Sequence, residues 1–167
     1  MKKLLFLSTL MVTLLGCQSE SVNPLLAPAT NEYGIVAMDQ VRLEHYMPAF
    51  KEAIRQNEAE IEAIVSNPDE PTFENTIVAL ERSGSLLERV EGIFFNILEA
   101  DGNDEMDEIA NEVSPLLSEL SDNIILNETL FARIKVVYDQ RETLYNRKDV
   151  RNLEGYVLMN RIENFLI

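Results

Sequence analysis

Residues 71–84, PTFENTIVALERSG, have the pattern of an amphipathic helix with a defined start. Thr72 is a favourable N-cap after Pro71, and Glu74 places a negative charge in the first turn, where the free amides of a helix stabilise it. We predict one helix up to the turn residues at 101–104, with a bend or a close helix approach at Gly84, because glycine destabilises a helix interior by about 1 kcal/mol relative to alanine. Its seam has steps of four and three, with two polar or small exceptions: Phe73, Ile77, Leu80, Gly84, Leu87, Glu91, Phe94 and Leu98.

The flanking segments also have helical periodicity. Pro68 should end the preceding helix at about Asn67, and Pro48 predicts that residues 39–47 form a separate short turn, because proline fits best at a helix start. A third helix is predicted at 104–120, kinked at Pro115, and a fourth from the N-cap Asn127 to about Leu144. The expected fold is all-α, an antiparallel bundle of four to five helices. The stripe of the first helix comprises Tyr46, Phe50, Ile54, Asn57, Ile61 and Val65.

The N-terminus has the features of an export signal. Lys2 and Lys3 precede an apolar run at 4–15, which is shorter than the roughly 20 residues that a membrane span needs. The residues LLGC at 14–17 resemble a bacterial lipobox, and Cys17 is the single cysteine of the chain. We therefore predict a lipoprotein signal peptide at 1–16 and lipid on Cys17. That lipid would anchor an exported protein to the membrane, on the periplasmic or cell-surface side.

The remaining chain divides into three parts. A lipidated tether and extended lead-in is predicted at 17–38, where Pro24 and Pro28 favour extended backbone. The helical domain should cover 39–144, and the less regular tail at 145–167 is interpreted as the site of a truncation. The 167 residues include 29 Asp and Glu against 14 Lys and Arg, a formal net charge of −15. Such a surface repels phosphates, so nucleic acid is not expected as a partner.

No residue cluster in the sequence predicts catalysis or metal binding. His45 is the single histidine, and a zinc site needs three or four suitable ligands. We expect His45 to cap or pack at a helix start. No Gly-x-Ser-x-Gly elbow is present for a serine nucleophile, and the acidic runs lack the desolvated pocket that separates the pKa values of paired carboxyls. No catalytic residue, metal ligand or cofactor is therefore predicted for this chain.

An ordered set of short motifs resembles a known family. It consists of residues 23–26 and 33–34, the run EHYMPAF at 44–50, PTFENT at 71–76 with ALERSG at 79–84, FFN at 94–96 and LNETLF at 126–131. In that order they resemble the N-terminal region of the thimet oligopeptidase and oligopeptidase A family of zinc metallopeptidases, nearest its bacterial peptidyl-dipeptidase branch. The family-motif positions, interpreted as structural, are His45, Pro48, Phe50, Thr72, Phe73, Glu74, Asn75, Leu80, Gly84 and Asn127.

The resemblance implies a function for the intact family enzyme. Such an enzyme removes C-terminal dipeptides from short peptides, using zinc held by a His-Glu-x-x-His helix far downstream. That motif does not occur in this sequence. The chain is therefore predicted to be an inactive N-terminal fragment that supplies the wall or lid of a peptide channel, with zinc belonging to a missing or separate catalytic region.

Two alternatives remain open at this point. The chain could be a stand-alone lipoprotein whose helical module binds peptides or a protein partner. A coiled-coil oligomer through the seam from Phe73 to Leu98 is weaker, because a single extended segment does not provide sustained heptads.

Overall fold

The computed structural model describes residues 22–28 and 35–141, and within these ranges the chain is helical and has no β-strand. The predicted all-α fold is therefore confirmed. The signal peptide, Cys17 and the tail at 145–167 lie outside the described residues. The elements are a 3-10 turn at Met38–Gln40, α1 at Leu43–Val65, a π-helical turn at Phe73–Val78, α2 at Ala79–Arg82, α3 at Ser85–Asp101, α4 at Asp104–Ile125 and α5 at Glu128–Asp139.

The start of α1 corrects the prediction made from Pro48. Residues 39–47 do not form a separate turn, because α1 begins at Leu43 and continues through Pro48. The Arg42 amide donates to His45 Nδ1 over 3.0 Å, so His45 caps the helix start as expected. Proline cannot donate the usual backbone hydrogen bond. Burial of Tyr46 and Phe50 on either side of it holds this segment helical nevertheless.

The stretch predicted as one helix from Thr72 is two helical segments. Thr72 caps the first segment as predicted, but its first six residues have π-helical geometry, and α2 ends after one turn at Arg82. The chain is extended at Ser83 and left-handed at Gly84, where φ is 74°. Placing Gly84 inside a helix was therefore wrong. The expected close helix approach is confirmed, because a Cβ on Gly84 would lie 2.7 Å from Asn57 Nδ2 of α1.

The later helices begin where the sequence indicates. Asn103 caps α4 by accepting a hydrogen bond from the Met106 amide, and Asn127 caps α5 in the same way. Helix α4 contains Pro115, where a kink was predicted, and extends to Ile125, beyond the predicted end at 120. Helix α5 ends at Asp139, and the part of its predicted extension after 141 falls outside the described residues.

The buried side chains form two apolar clusters, and α1 contributes to both. The larger core joins the lead-in, the first half of α1, α3 and α4, with Tyr46 and Phe50 edge-on to Phe94 at centroid distances of 5.0 and 5.3 Å. The smaller core joins the second half of α1, the π-helical turn and α5. Among the described helices, none combines the length and apolar character needed to cross a bilayer.

The left-handed conformation of Gly84 gives a direct test of this architecture. We expect Gly84→Ala to lower the free energy of unfolding by at least about 1–2 kcal/mol, because a Cβ is unfavourable at positive φ and would also displace the Asn57 side chain. Chemical denaturation of the purified variants measures the change.

The matched control is Gly92→Ala. Gly92 lies inside α3 with open space around its Cβ position, so this change should raise stability by about 0.5–1 kcal/mol. Equal changes in the free energy of unfolding for the two substitutions would contradict the interruption of the helix at Gly84.

Candidate functional site

The family-motif residues at 72–75 form a reciprocal cap at the start of the π-helical turn. The Asn75 amide donates to Thr72 Oγ1 over 3.1 Å, and the Thr72 amide donates to Asn75 Oδ1 over 2.8 Å. Asn75 Nδ2 also donates to the carbonyl of Glu70 over 3.0 Å. The side chain of Asn75 therefore binds the loop as well as the helix start, which a simple N-cap does not do.

Arg133 of α5 connects this cap to the loop that follows α1. The residue is only 8% exposed. Nη1 donates to the carbonyls of Asn67 and Asp69 over 2.8 and 3.3 Å, and Nη2 donates to Asn75 Oδ1 over 3.4 Å. We call these four residues the Arg133 clasp. Its acceptors are carbonyl and amide oxygens, so the clasp places a buried cation among neutral dipoles and closes the loop onto α5.

A second polar junction lies where α1 passes Gly84. The Gly84 amide donates to Glu60 Oε2 over 2.8 Å, and Gln56 Nε2 donates to Glu60 Oε1 over 2.8 Å. Beside them Asn57 is buried, and its Oδ1 accepts no hydrogen bond. We call Asn57, Glu60 and Gly84 the α1 junction. The helix is interrupted at this junction, between α2 and α3.

The lead-in at 22–28 is bound to the larger core by a third set of contacts. Leu25 is fully buried, and Arg89 of α3 donates to its carbonyl over 2.9 Å. Asn23 Nδ2 donates over 2.8 Å to the carbonyl of His45, three residues before Pro48. The motifs at 23–26 and 44–50 are therefore in direct contact.

The remaining motif residues have structural positions. Phe50 is buried in the larger core and Phe73 in the smaller one, against which Leu80 packs half-buried. Glu74 is exposed and pairs with Arg82 over 3.3 Å. The motif residues that the structure describes thus lie at helix starts, in the two cores and at the α1 junction. They do not converge on one point.

The surface of the described part contains two shallow grooves. One, of about 390 Å³, runs along α3 beside Met38 and is lined by Arg89, Gly92 and Asn96. The other, of about 360 Å³, lies between α1 and α2 and includes Glu60, Asn75 and Arg82 in its lining. Residues 22–28 and 35–141 contain no group of three or more His, Cys, Asp or Glu side chains placed to hold a metal ion.

The surroundings of Glu91 and Glu52 shift the pKa values of their carboxyl groups in opposite directions. Partial burial raises the pKa of Glu91 on α3, and the negative charge of Glu88 raises it further. The hydrogen bond from Arg55 lowers the pKa of the exposed Glu52. Neither Glu91 nor Glu52 lies at the Arg133 clasp or the α1 junction. These pKa shifts therefore bear on the stability of the fold and not on a reaction.

Sequence reasoning missed the polar residues that make the long-range contacts. Arg133 follows the buried Leu130 by three residues and directly precedes the buried Ile134, so its position on the inward face of α5 was the available signal. Asn57 was included in the apolar stripe of α1, but its polarity was not interpreted. Glu60 and Arg89 gave no such signal, because acidic and basic residues are common on exposed helix faces.

Comparison with known proteins identifies two similar peptidases. Dipeptidyl carboxypeptidase from Escherichia coli strain K12 is 45% identical over 124 residues, which are 74% of this chain and 18% of that protein. The dipeptidyl carboxypeptidase of Salmonella typhimurium strain LT2 matches with the same identity and coverage. The chain thus spans less than a fifth of the length of these relatives. No protein-family model matches it.

The Arg133 clasp should be important for stability. Arg133→Ala removes hydrogen bonds from a buried charged donor, so we expect the free energy of unfolding to fall by about 2–3 kcal/mol. Thermal denaturation followed by circular dichroism measures the loss.

Lys135→Ala on the same helix is the control. Lys135 pairs with Asp139 at the surface over 2.7 Å, and such pairs contribute less than about 1 kcal/mol. If Arg133→Ala cost no more than Lys135→Ala, the clasp would not stabilise the fold.

The raised pKa of Glu91 predicts a pH dependence. The folded state binds this proton more tightly than the unfolded state, so Glu91 lowers stability as pH rises from the ordinary carboxyl range through the raised pKa. Glu91→Gln should therefore be more stable than the parent at neutral pH, by less than about 1 kcal/mol for a partly exposed group. The advantage should vanish below about pH 4.

Denaturant titrations at several pH values test this expectation. Glu112→Gln, at an exposed position in the middle of α4, is the control for removing one negative charge from a helix surface. A Glu91→Gln variant that is less stable than the parent at neutral pH would refute the assignment.

Proposed function

Because this chain is homologous over 124 residues to the dipeptidyl carboxypeptidases, we propose that its helical domain is the non-catalytic, N-terminal part of a peptidase of that type. The 45% identity is the observation that carries the proposal. In such a peptidase the domain forms the wall or the lid of the channel that admits short peptides. The hydrolysis of C-terminal dipeptides, and the zinc that it needs, belong to a region beyond the matched segment.

The positions of the family-motif residues are in agreement with a non-catalytic role. The motif positions that it describes cap helices, fill the two cores and form the α1 junction. Side chains with such positions determine shape and are not available to activate water or polarise a peptide carbonyl. These positions support the proposed role in shaping the peptide channel.

Apolar residues at the corner between α4 and α5 also support a larger assembly. Leu126 is 75% exposed and Ile125 55% exposed, and Phe131 lies nearby at the start of α5. Exposed apolar groups in one place commonly mark contacts with another domain or protein. This corner is therefore a natural position for further peptidase structure.

A chimera provides the test. We would replace the matched segment of the Escherichia coli dipeptidyl carboxypeptidase with the corresponding residues of this chain and measure chelator-sensitive dipeptide release. The chimera should fold and retain activity, whereas this chain alone, supplied with zinc, should release no dipeptide. Chelator-sensitive release by this chain alone would overturn the proposal, as would a folded, zinc-loaded chimera without activity.

We further propose that lipid on Cys17 anchors the protein at a bacterial membrane after export. The support is the sequence LLGC at 14–17 and the absence of any other cysteine in the chain. Intact-mass measurement of the mature protein should find an acylated N-terminal Cys17, and Cys17→Ser should leave the membrane fraction. An unmodified mature N-terminus, or anchoring that survives Cys17→Ser, would refute this proposal.

A further inference from the structure

The two apolar clusters differ in size, and few side chains contact both of them. The larger core contains 12 buried residues, and the smaller contains seven, which are Ile61, Ile64, Phe73, Ile77, Leu130, Ile134 and Val137. Ile124 near the end of α4 packs against both clusters. Apart from Ile124 and the continuous helix α1, little apolar packing joins the two cores. Opening of one core is therefore only weakly coupled to opening of the other.

A polar layer separates the two cores along α1. Ala53 belongs to the larger core and Ile61 to the smaller one, and Asn57 lies midway between them. Asn57 is buried, and its Oδ1 accepts no hydrogen bond. A buried polar atom without a partner favours opening of the structure around it. The buried Nε atoms of Arg89 and Arg133 also have no partner, but Asn57 lies between the two cores, where opening would separate them.

The backbone connections at this boundary are short and non-helical. The chain enters the larger core at Ser83 and Gly84, where the backbone is extended and then left-handed. It returns to the smaller core through Leu126 and Asn127. Residues at the ends of elements commonly absorb the backbone changes of a hinge, and glycine does so with the least steric restriction.

The polar contacts of the smaller core are mostly internal to it. The Arg133 clasp joins α5 to the loop at 67–69 and to Asn75, and Glu74 pairs with Arg82. The bond from Gly84 to Glu60 is the polar contact at the boundary itself. The clasp therefore holds the smaller core together as a unit without tying it to α3.

From this arrangement we infer that residues 61–82 and 128–139 form a small-core unit that opens cooperatively while the larger core stays folded. The opening proceeds by fraying of α1 beyond Glu60, with rotation at Gly84 and at the connection between α4 and α5. It exposes the seven apolar side chains of the smaller core and hydrates Asn57. Proteins commonly open in such contiguous units below the free energy of global unfolding. The inference does not depend on the proposed peptidase role.

Hydrogen exchange of the full-length chain, read by mass spectrometry in low denaturant, tests this inference. Amides at 73–82 and 128–139 should share one opening equilibrium and exchange faster than those at 87–98 in α3. Separate opening equilibria for these two segments, or an equilibrium equal to that of α3, would overturn it.

Paired substitutions sharpen the test. Ile134→Ala in the smaller core should accelerate exchange at both 73–82 and 128–139 by roughly 30-fold or more, and exchange of α3 through global unfolding should accelerate with it, because the lost contacts are absent from both open states. Val90→Ala in the larger core should accelerate exchange of α3 and leave 73–82 and 128–139 unchanged, because the larger core is intact before and after the small-core unit opens. Acceleration of the small-core unit by Val90→Ala equal to that of α3 would contradict the inference. Ile134→Val provides the same comparison if the alanine variant does not fold.

Asn57→Leu tests the boundary itself. It replaces an amide whose Oδ1 has no partner with an apolar side chain of similar size between the two cores, so the closed state should be stabilised and the amides at 73–82 and 128–139 should exchange more slowly than in the parent. Unchanged or faster exchange of these amides would mean that Asn57 does not weaken the boundary.

Discussion

The hydrogen bond from the Gly84 amide to Glu60 is the contact on which the arrangement of helices depends. At 2.8 Å it fixes the point where the chain stops following α2 and turns into α3. Because φ is positive there and Asn57 fills the space beside the Cα atom, only glycine fits without strain. Helix α1 therefore sets the positions of both the segment that begins at Thr72 and the following helix, and through them those of the two cores.

This dependence explains why the family-motif residues are dispersed. A catalytic site gathers its groups around one reacting atom, whereas a supporting domain needs them at each helix start and crossing. His45, Thr72 and Asn127 cap three different elements, and Gly84 occupies the junction. The homology to dipeptidyl carboxypeptidases over 124 residues and this dispersed arrangement are the two observations behind the proposed non-catalytic role.

Local signals in the sequence predicted the all-α fold and most helix starts. Thr72 and Asn127 act as N-caps whose effect is contained within one turn, so a short window of sequence is sufficient to recognise them. Pro48 and Gly84 were misjudged because distant contacts decide their conformation: burial of Tyr46 and Phe50 in one case, Glu60 in the other. Arg133 was missed for the same reason, since its acceptors lie 58 to 66 residues away in the chain.

The most direct measurement of the central contact is the amide resonance of Gly84 in a nuclear magnetic resonance pH titration. If the amide donates to the Glu60 carboxylate, its proton signal should lie downfield at neutral pH and move upfield on acidification, when the carboxylate loses its charge. In a Glu60→Gln variant that pH-dependent step should disappear while the rest of the spectrum stays folded. A Gly84 signal that behaves identically in both proteins would contradict the role assigned to the α1 junction.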